Sequence, residues 1–312
     1  MNDKEQNFVS AVIYVHNAEE RIGSFLKNII LVLDENFENS EVICVNDSSD
    51  DDGVEVIRRV CEEADNTSIS VVNMSYFHGL ELAMNAGMDL AIGDYVFEFD
   101  NTVLDFEPNV IMQIYRRSLE GYDIVSASPE RSEKSSSRMF YKMFERFSDK
   151  SGKMCTESFR ILSRRVINRI SATSKSILYR KALYANCGLK TDNVKYPVTC
   201  KGNLKTDKKE KKYRSSLAVD SLILYTGFGY RFSMTMTFLM MVISLCVIAY
   251  TIITYFMANP VEGWTTTILL ISFCFFGLFG VLTIIIKYLQ LIINMVFKRK
   301  HYSYESIEKM TK

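Results

Sequence analysis

Neither sign of charge is in excess: 37 Lys and Arg balance 37 Asp and Glu over 312 residues. A chain without a basic surplus is not expected to bind nucleic acid or another polyanion through its overall field. No CxxC pair occurs, and the seven cysteines, Cys44, Cys61, Cys155, Cys187, Cys200, Cys246 and Cys274, are odd in number. Neither a disulfide framework nor a zinc site is expected, and the pattern fits a reduced, cytosolic setting. Met1-Asn2-Asp3-Lys4-Glu5 is polar and predicts no signal peptide. Disorder is excluded by a hydrophobic share of 48%, which suits a globular or partly membrane-embedded chain.

Charge is also missing from two long runs, Phe232 to Met257 and Trp264 to Ile286. A helix crossing a hydrocarbon core of ~30 Å needs roughly 20 such residues, so both runs are long enough to span. Ala258-Asn259-Pro260-Val261-Glu262-Gly263 between them predicts a helical hairpin. Lys211, Lys212, Arg214 and Arg231 precede it, Lys298, Arg299 and Lys300 follow it, and the turn has no basic residue. The positive-inside rule then places both termini in the cytosol of a multi-pass cell-membrane protein. Lys287 to Phe297 reads as a helix bending along the membrane surface, or as a simple extension of the second span.

The N-terminal half alternates strand and helix patterns. Phe8 to Val15, Glu41 to Asn46, Ile69 to Met74, Tyr95 to Asp100 and Ile124 to Ala127 read as strands. Helices are expected from Asn17, as cap of a capping box with Glu20, to about Leu33, then around Val56 to Val60, over Gly79 to Ala91 and over Glu107 to Leu119. Alternation of this kind predicts an α/β fold with a mostly parallel sheet. Ser126 to Ser137 reads as a loop over the site. Met139, Phe140, Met143, Phe144 and Phe147 recur at helical spacing, for core packing or for contact with a membrane. Glu157 to Leu162 reads as a strand, with a helix from about Arg164. Lys201 to Arg214 is basic and could face anionic headgroups or a lipid phosphate.

Ligands of parallel sheets bind beyond the carboxyl ends of the strands. Three predicted strand ends carry polar clusters: Asn17 with Glu19, Asp47 with Asp51, and Asp100 with Asp105. One such cluster is ordinary turn chemistry. Three on one edge suit a hydroxyl-rich ligand, a divalent cation, or both.

Ordered motifs then resemble those of a known family. Val12-Ile13-Tyr14-Val15-His16-Asn17-Ala18-Glu19-Glu20 resembles V-I-P-V-Y-N-E-E, and Val45-Asn46-Asp47-Ser48-Ser49-Asp50-Asp51 resembles V-D-D-G-S-x-D. His78-Gly79, Ala83, Gly87 and Ala91-Ile92-Gly93-Asp94 resemble a G…A…G…A-x-G-D block, and Phe99-Asp100-Asn101-Thr102 stands where D-A-D is usual. Ser158-Phe159-Arg160-Ile161-Leu162-Ser163-Arg164-Arg165-Val166 resembles D-F-R-L-L-D-R-R-V, and Ile177-Leu178-Tyr179-Arg180 the arginine segment that follows. The family is the family 2 glycosyltransferases that move a sugar from a nucleotide diphosphate onto dolichyl or undecaprenyl phosphate.

The resemblance implies a GT-A domain over residues 1–170, a membrane-proximal acceptor segment over 171–230, two transmembrane helices and an interfacial helix over 231–297, and a cytosolic tail over 298–312. It implies nucleotide contacts from Val15, Asn17, Glu19, Asp47, Asp51 and Gly79, with Glu19 and Asp47 at the ribose and base. Asp100 would be the first carboxylate of a pair holding Mg²⁺ or Mn²⁺, with Asp105 as the second. Glu157, Arg160 and Arg180 would complete the catalytic set, the arginines facing phosphates. Nucleotide sugar, polyprenyl phosphate and the membrane are the implied partners, nucleic acid is not one, and self-association is left open.

Three departures accompany the match. Thr102 replaces the second aspartate of D-A-D, Ser158 the aspartate before Phe-Arg, and Ser48 the glycine after Asp47, so that turn is expected to avoid a glycine-only conformation. Two hypotheses follow: an active inverting transferase with a relaxed metal site, or an inactive homologue that keeps the fold and binds a partner. Convergence of Asp47, Asp100 and either Asp105 or Glu157 on one pocket favours turnover.

Overall fold

The computed structural model describes residues 4–62, 67–130, 135–147, 156–173, 179–199 and 304–310, with isolated helical positions between 213 and 292. The chain divides into two units. One comprises residues 1–146, 150–218 and 299–312, the other 147–149 and 219–298.

The first unit is built on one sheet. Its strands are β1 (Val9–Val15), β2 (Ser40–Asn46), β3 (Ser68–Met74), β4 (Tyr95–Phe99), β5 (Ile124–Pro129), β6 (Phe159–Ser163), β7 (Thr191–Tyr196) and β8 (Tyr304–Lys309). Their order is β7-β5-β6-β4-β1-β2-β3-β8. The run β3-β2-β1-β4 is parallel, as the alternating pattern predicts. Every residue of β1 is buried, the signature of a parallel strand covered on both faces.

Antiparallel β6 then pairs with both β4 and β5, and β7 pairs parallel to β5. β7 and β8 are not expected from the sequence patterns above. The terminal segment expected as a tail includes β8, which pairs antiparallel with the edge of β3.

Helices α1 (Glu19–Asn36), α2 (Gly53–Glu62), α3 (Leu80–Leu90), α4 (Asn109–Leu119), α5 (Ser135–Phe147), α6 (Arg164–Thr173) and α7 (Arg180–Asn186) connect the strands. Two apolar layers result. Phe25, Ile29 and Leu33 of α1 and Ile111, Ile114 and Tyr115 of α4 join one. Ala83, Met84 and Met88 of α3 and Val166 and Ile170 of α6 join the other. Gly87 sets how closely α3 approaches the sheet: a Cβ there would lie 2.5 Å from Val12 Cγ1 and 2.7 Å from Val45 Cγ2.

The capping box expected at Asn17 is not formed. Ala18 is the N-cap of α1 and makes no side-chain cap bond. Asn17 instead takes a left-handed φ of 47°, its Oδ1 accepting from Asp50 N at 2.9 Å. The cap comes from the neighbouring loop, where Asp51 Oδ2 accepts from Glu19 N at 2.8 Å. The expectation for Ser48 is also overturned, because it adopts φ 52°. A left-handed non-glycine residue costs of order 1–2 kcal/mol, and Ser49 N donating to Asn46 Oδ1 at 3.1 Å helps to hold the turn.

Pro129 carries β5 into the segment expected as a loop, and residues 131–134 lie outside the described ones. In α5, Phe144 is fully buried and Phe140 meets it at a tilt and Tyr179 edge-on, so that face is a packing face, while Met139 is exposed.

In the second unit the two charge-free runs lie largely outside the described residues, and among the described residues no helix is long and apolar enough to cross a membrane. The described helical positions include Leu278, Leu282, Ile285, Leu289 and Ile292, all exposed. Their spacing alternates between four and three, so they share one face of a helix.

Candidate active site

Strand register fixes where the polar clusters fall. Val15 lies beside Asn46 and Ile13 beside Phe99, so Asn17, Asp47 and Asp100 leave the sheet on the same edge. Val15 is itself fully buried. Asn17 and Glu19 are exposed and tied to the Ser49–Asp51 loop through backbone bonds, with Asp51 Oδ1 also accepting from Gly53 N at 3.2 Å.

Asp47 is fully buried. Its Oδ1 accepts from His78 N at 2.8 Å, and its Oδ2 from Gly79 N at 2.8 Å and from the Tyr14 hydroxyl at 3.0 Å. The carboxylate therefore latches the turn between β3 and α3 to the end of β2. Gly79 has φ 83°, a conformation that favours glycine.

A second constellation surrounds two buried guanidinium groups. Arg160 of β6 and Glu98 of β4 are register partners across the antiparallel pair. Arg160 donates from Nη1 to Glu98 Oε2 at 3.0 Å, from Nη2 to Asp100 Oδ2 at 2.6 Å and from Nε to Glu157 Oε2 at 3.1 Å. Arg180, the first residue of α7, donates from Nη2 to Asp100 Oδ1 at 2.7 Å and from both N and Nε to Glu81 Oε2 at 2.9 Å. Its Nη1 forms an ion pair with Glu98 Oε1 at 2.9 Å without hydrogen-bond alignment. The Tyr184 hydroxyl donates to Glu98 Oε1 at 2.8 Å. Lys181 Nζ stands 3.9 Å from Glu157 Oε1.

The electrostatics follow from these contacts. Burial pushes the Asp100 carboxyl up, but Arg160, Arg180 and Lys181 outweigh it and hold the group well below the ordinary carboxylate range. Burial, reinforced by Glu98, drives the Tyr184 phenol well above its ordinary value, so it stays a donor. Four carboxylates face three cations, with Arg160, Arg180, Glu81 and Glu98 buried and Asp100, Glu157 and Lys181 at the partly exposed margin. Each carboxylate would be costly there without its partner.

Asp105 belongs elsewhere. Its Oδ1 accepts from the Tyr196 hydroxyl at 2.9 Å, and that oxygen lies 2.6 Å from Ser158 Oγ. The carboxylate that joins Asp100 is thus Glu157, through their shared Arg160. The donor set expected for a cation does not converge as placed. Asp100 presents its oxygens to arginines, Asp105 to a phenol, and among the described residues no group of three or more His, Cys, Asp or Glu is arranged to hold a metal.

With this geometry in place, comparison with known proteins is decisive for the family. Residues 10–171 match the family model described as glycosyl transferase family 2. The chain belongs to glycosyl transferase family 2. An uncharacterized glycosyltransferase of Synechocystis sp. is 32% identical over 187 residues, which span 58% of each chain. The bactoprenol glucosyl transferase of Shigella phage SfV is 27% identical over 278 residues, 86% of this chain and 88% of the relative. A mannosyltransferase of Pyrobaculum calidifontis, solved with GDP-Man and Mn²⁺, shares the fold with a TM-score of 0.53 at 14% identity, over 70% of this chain and 64% of that one. The fold is thus GT-A-like.

Set in the family 2 fold, the buried network is the feature least visible in the sequence. No motif or strand-end pattern in the sequence points to Glu81, Lys181 or Tyr184. Glu98 offers one signal, a lone carboxylate within Tyr-Val-Phe-Glu-Phe, which a buried strand tolerates only when the charge is paired. Arg160 and Arg180 are at most 1% exposed, so as placed they stiffen the site and set the charge on Asp100.

Proposed function

We propose that this chain is a membrane-bound, inverting glycosyltransferase that moves a sugar from a nucleotide-diphosphate sugar to polyprenyl phosphate. The observation that carries the reading is the reach of the match to the bactoprenol glucosyl transferase. It runs over 278 residues, far beyond the family 2 segment of residues 10–171.

The site chemistry suits this substrate pair. An acceptor phosphate is already ionised at neutral pH, so no strong general base is required of the protein. Its oxygen attacks the anomeric carbon as the bond to the diphosphate breaks, and the electron pair leaves with the nucleoside diphosphate. One displacement inverts the centre through an oxocarbenium-like transition state. Asp100 is held ionised at the end of β4 by Arg160 and Arg180, which fix its carboxylate on the sheet edge proposed for the donor. Asp47, Gly79, Asn17 and Glu19 border the same sheet edge and form the nucleotide side of the cleft.

Membrane anchoring supports the lipid acceptor. Residues 219–298 interrupt the sequence of the sheet unit, which resumes from residue 299. A chain that leaves one domain and returns to it crosses a bilayer an even number of times. The hairpin expected from the charge-free runs satisfies this, and the exposed stripe from Leu278 to Ile292 suits a lipid contact. The basic flanks support a cytosolic sheet unit under the positive-inside rule.

The test is incubation of membranes containing the full chain with nucleotide sugars and undecaprenyl phosphate, with and without Mg²⁺ or Mn²⁺. A sugar-bearing lipid that disappears in Asp100→Ala is expected. Absence of such a lipid with every donor, together with no nucleotide binding in calorimetry, overturns the reading.

A further inference from the structure

The contact that the sheet edge leaves unexplained is Tyr213. It belongs to the segment that precedes the first charge-free run. Its ring lies directly on Gly79: a Cβ built there would fall 2.5 to 2.8 Å from ring carbons of Tyr213. Phe77 meets the same ring edge-on, with centroids 6.3 Å apart. The hydroxyl faces the backbone N–H of Glu81 and stands in the field of the Glu81 and Asp47 carboxylates and of Arg180. Burial, then those two carboxylates, push its phenol well up. Tyr213 thus remains a neutral hydrogen-bonding group across the physiological range.

We propose that Tyr213 is a positioning residue for the donor site, holding the turn before α3 and, through Glu81 and Arg180, the carboxylate of Asp100. The path is short and continuous. Tyr213 covers Gly79, whose N–H is latched to Asp47. Glu81 follows two residues later and holds Arg180 through its N and Nε at 2.9 Å. Arg180 in turn grips Asp100 Oδ1 at 2.7 Å. Tyr213 is thereby tied to the two acidic residues at the sheet edge, and a shift of its ring moves the turn between β3 and α3 with it.

The inference rests on the sugar-transfer reading, and its test separates the two. Tyr213→Phe removes only the hydroxyl, Tyr213→Ala removes the ring as well, and Gly79→Ala pushes the ring away from the other side. In the full chain in membranes, Tyr213→Phe is expected to lower kcat about three- to tenfold, the range of one neutral hydrogen bond. The KM for nucleotide sugar should stay within about twofold, since the ring remains in place. Tyr213→Ala and Gly79→Ala should raise KM as well. Amide hydrogen exchange over residues 78–83 should quicken in Tyr213→Phe while the exchange of β1 is unchanged, a readout that general destabilisation would not reproduce. Wild-type kcat in Tyr213→Phe, with unaltered exchange at 78–83, overturns the role of Tyr213 while leaving sugar transfer intact. A wild-type chain that neither binds nor turns over any nucleotide sugar overturns both.

Discussion

Arg160 decides most at the scale of single residues. It is fully buried and serves three carboxylates at once. Removing one partner of a buried charge network strands the others, at a cost of about 3–5 kcal/mol. Arg160→Ala is expected to lose that much in denaturant unfolding of the detergent-solubilised chain. A loss below about 1 kcal/mol, the worth of an exposed pair, would show that the network is open to water.

Asp100 gives the acid response a sign. Its folded pKa lies below the unfolded value, so its stabilisation is fully present above about pH 3.9 and is lost as pH falls through the depressed folded value. Between pH 5 and 8 it contributes no slope. Asp100→Asn should therefore flatten the decline in unfolding free energy below pH 4 and leave the neutral region unchanged in shape. An identical acid limb in both proteins would rule Asp100 out as a contributor.

What the sequence revealed at this scale was uneven, and the reason is physical. Asp47 and Asp100 stand out because polar residues at strand ends are visible against apolar runs, and Arg160 and Arg180 stand out only through the motif resemblance. Their partners were not visible, since Glu81 sits in a helix and Glu98 inside a strand, where each is joined to its arginine only by long-range pairing. Proximity in sequence puts Asp105 beside Asp100, yet the chain after β4 carries it to Tyr196 instead.

Among the elements, the first four parallel strands were legible because each is a short run rich in apolar residues and closed by a turn. β7 (Thr-Asp-Asn-Val-Lys-Tyr) and β8 (Tyr-Glu-Ser-Ile-Glu-Lys) were not, since both are polar edge strands that owe their conformation to a neighbour. β8 covers the open edge of β3. Glu308 also ties it to Arg58 of α2 at 3.1 Å, and Ser306 to Asn73 at 3.0 Å. Deleting residues 304–312 should expose a row of unpaired backbone groups on β3. The expected outcome is a lower thermal midpoint and concentration-dependent aggregation in size-exclusion chromatography. A truncated chain that stays monodisperse with an unchanged midpoint would show that the edge needs no cover.

For the whole molecule, the sheet unit is discontinuous in sequence, and both of its ends must lie on one side of any bilayer that the intervening residues cross. A membrane-impermeant maleimide is expected to label Asn259→Cys in intact cells, above the background of the native cysteines. Ser303→Cys should label only after permeabilisation. Labelling of both from the same side would overturn the hairpin.

The same discontinuity has a consequence for biosynthesis. β3 is fully translated at residue 74, yet the strand that seals its margin is encoded roughly 230 residues later. At about 5–20 residues per second, that margin waits on the order of ten to fifty seconds for its partner. Throughout that interval the nascent chain carries an unpaired strand border. Chaperone dependence during translation should therefore concentrate on the first half of the chain, long before its last codon is read.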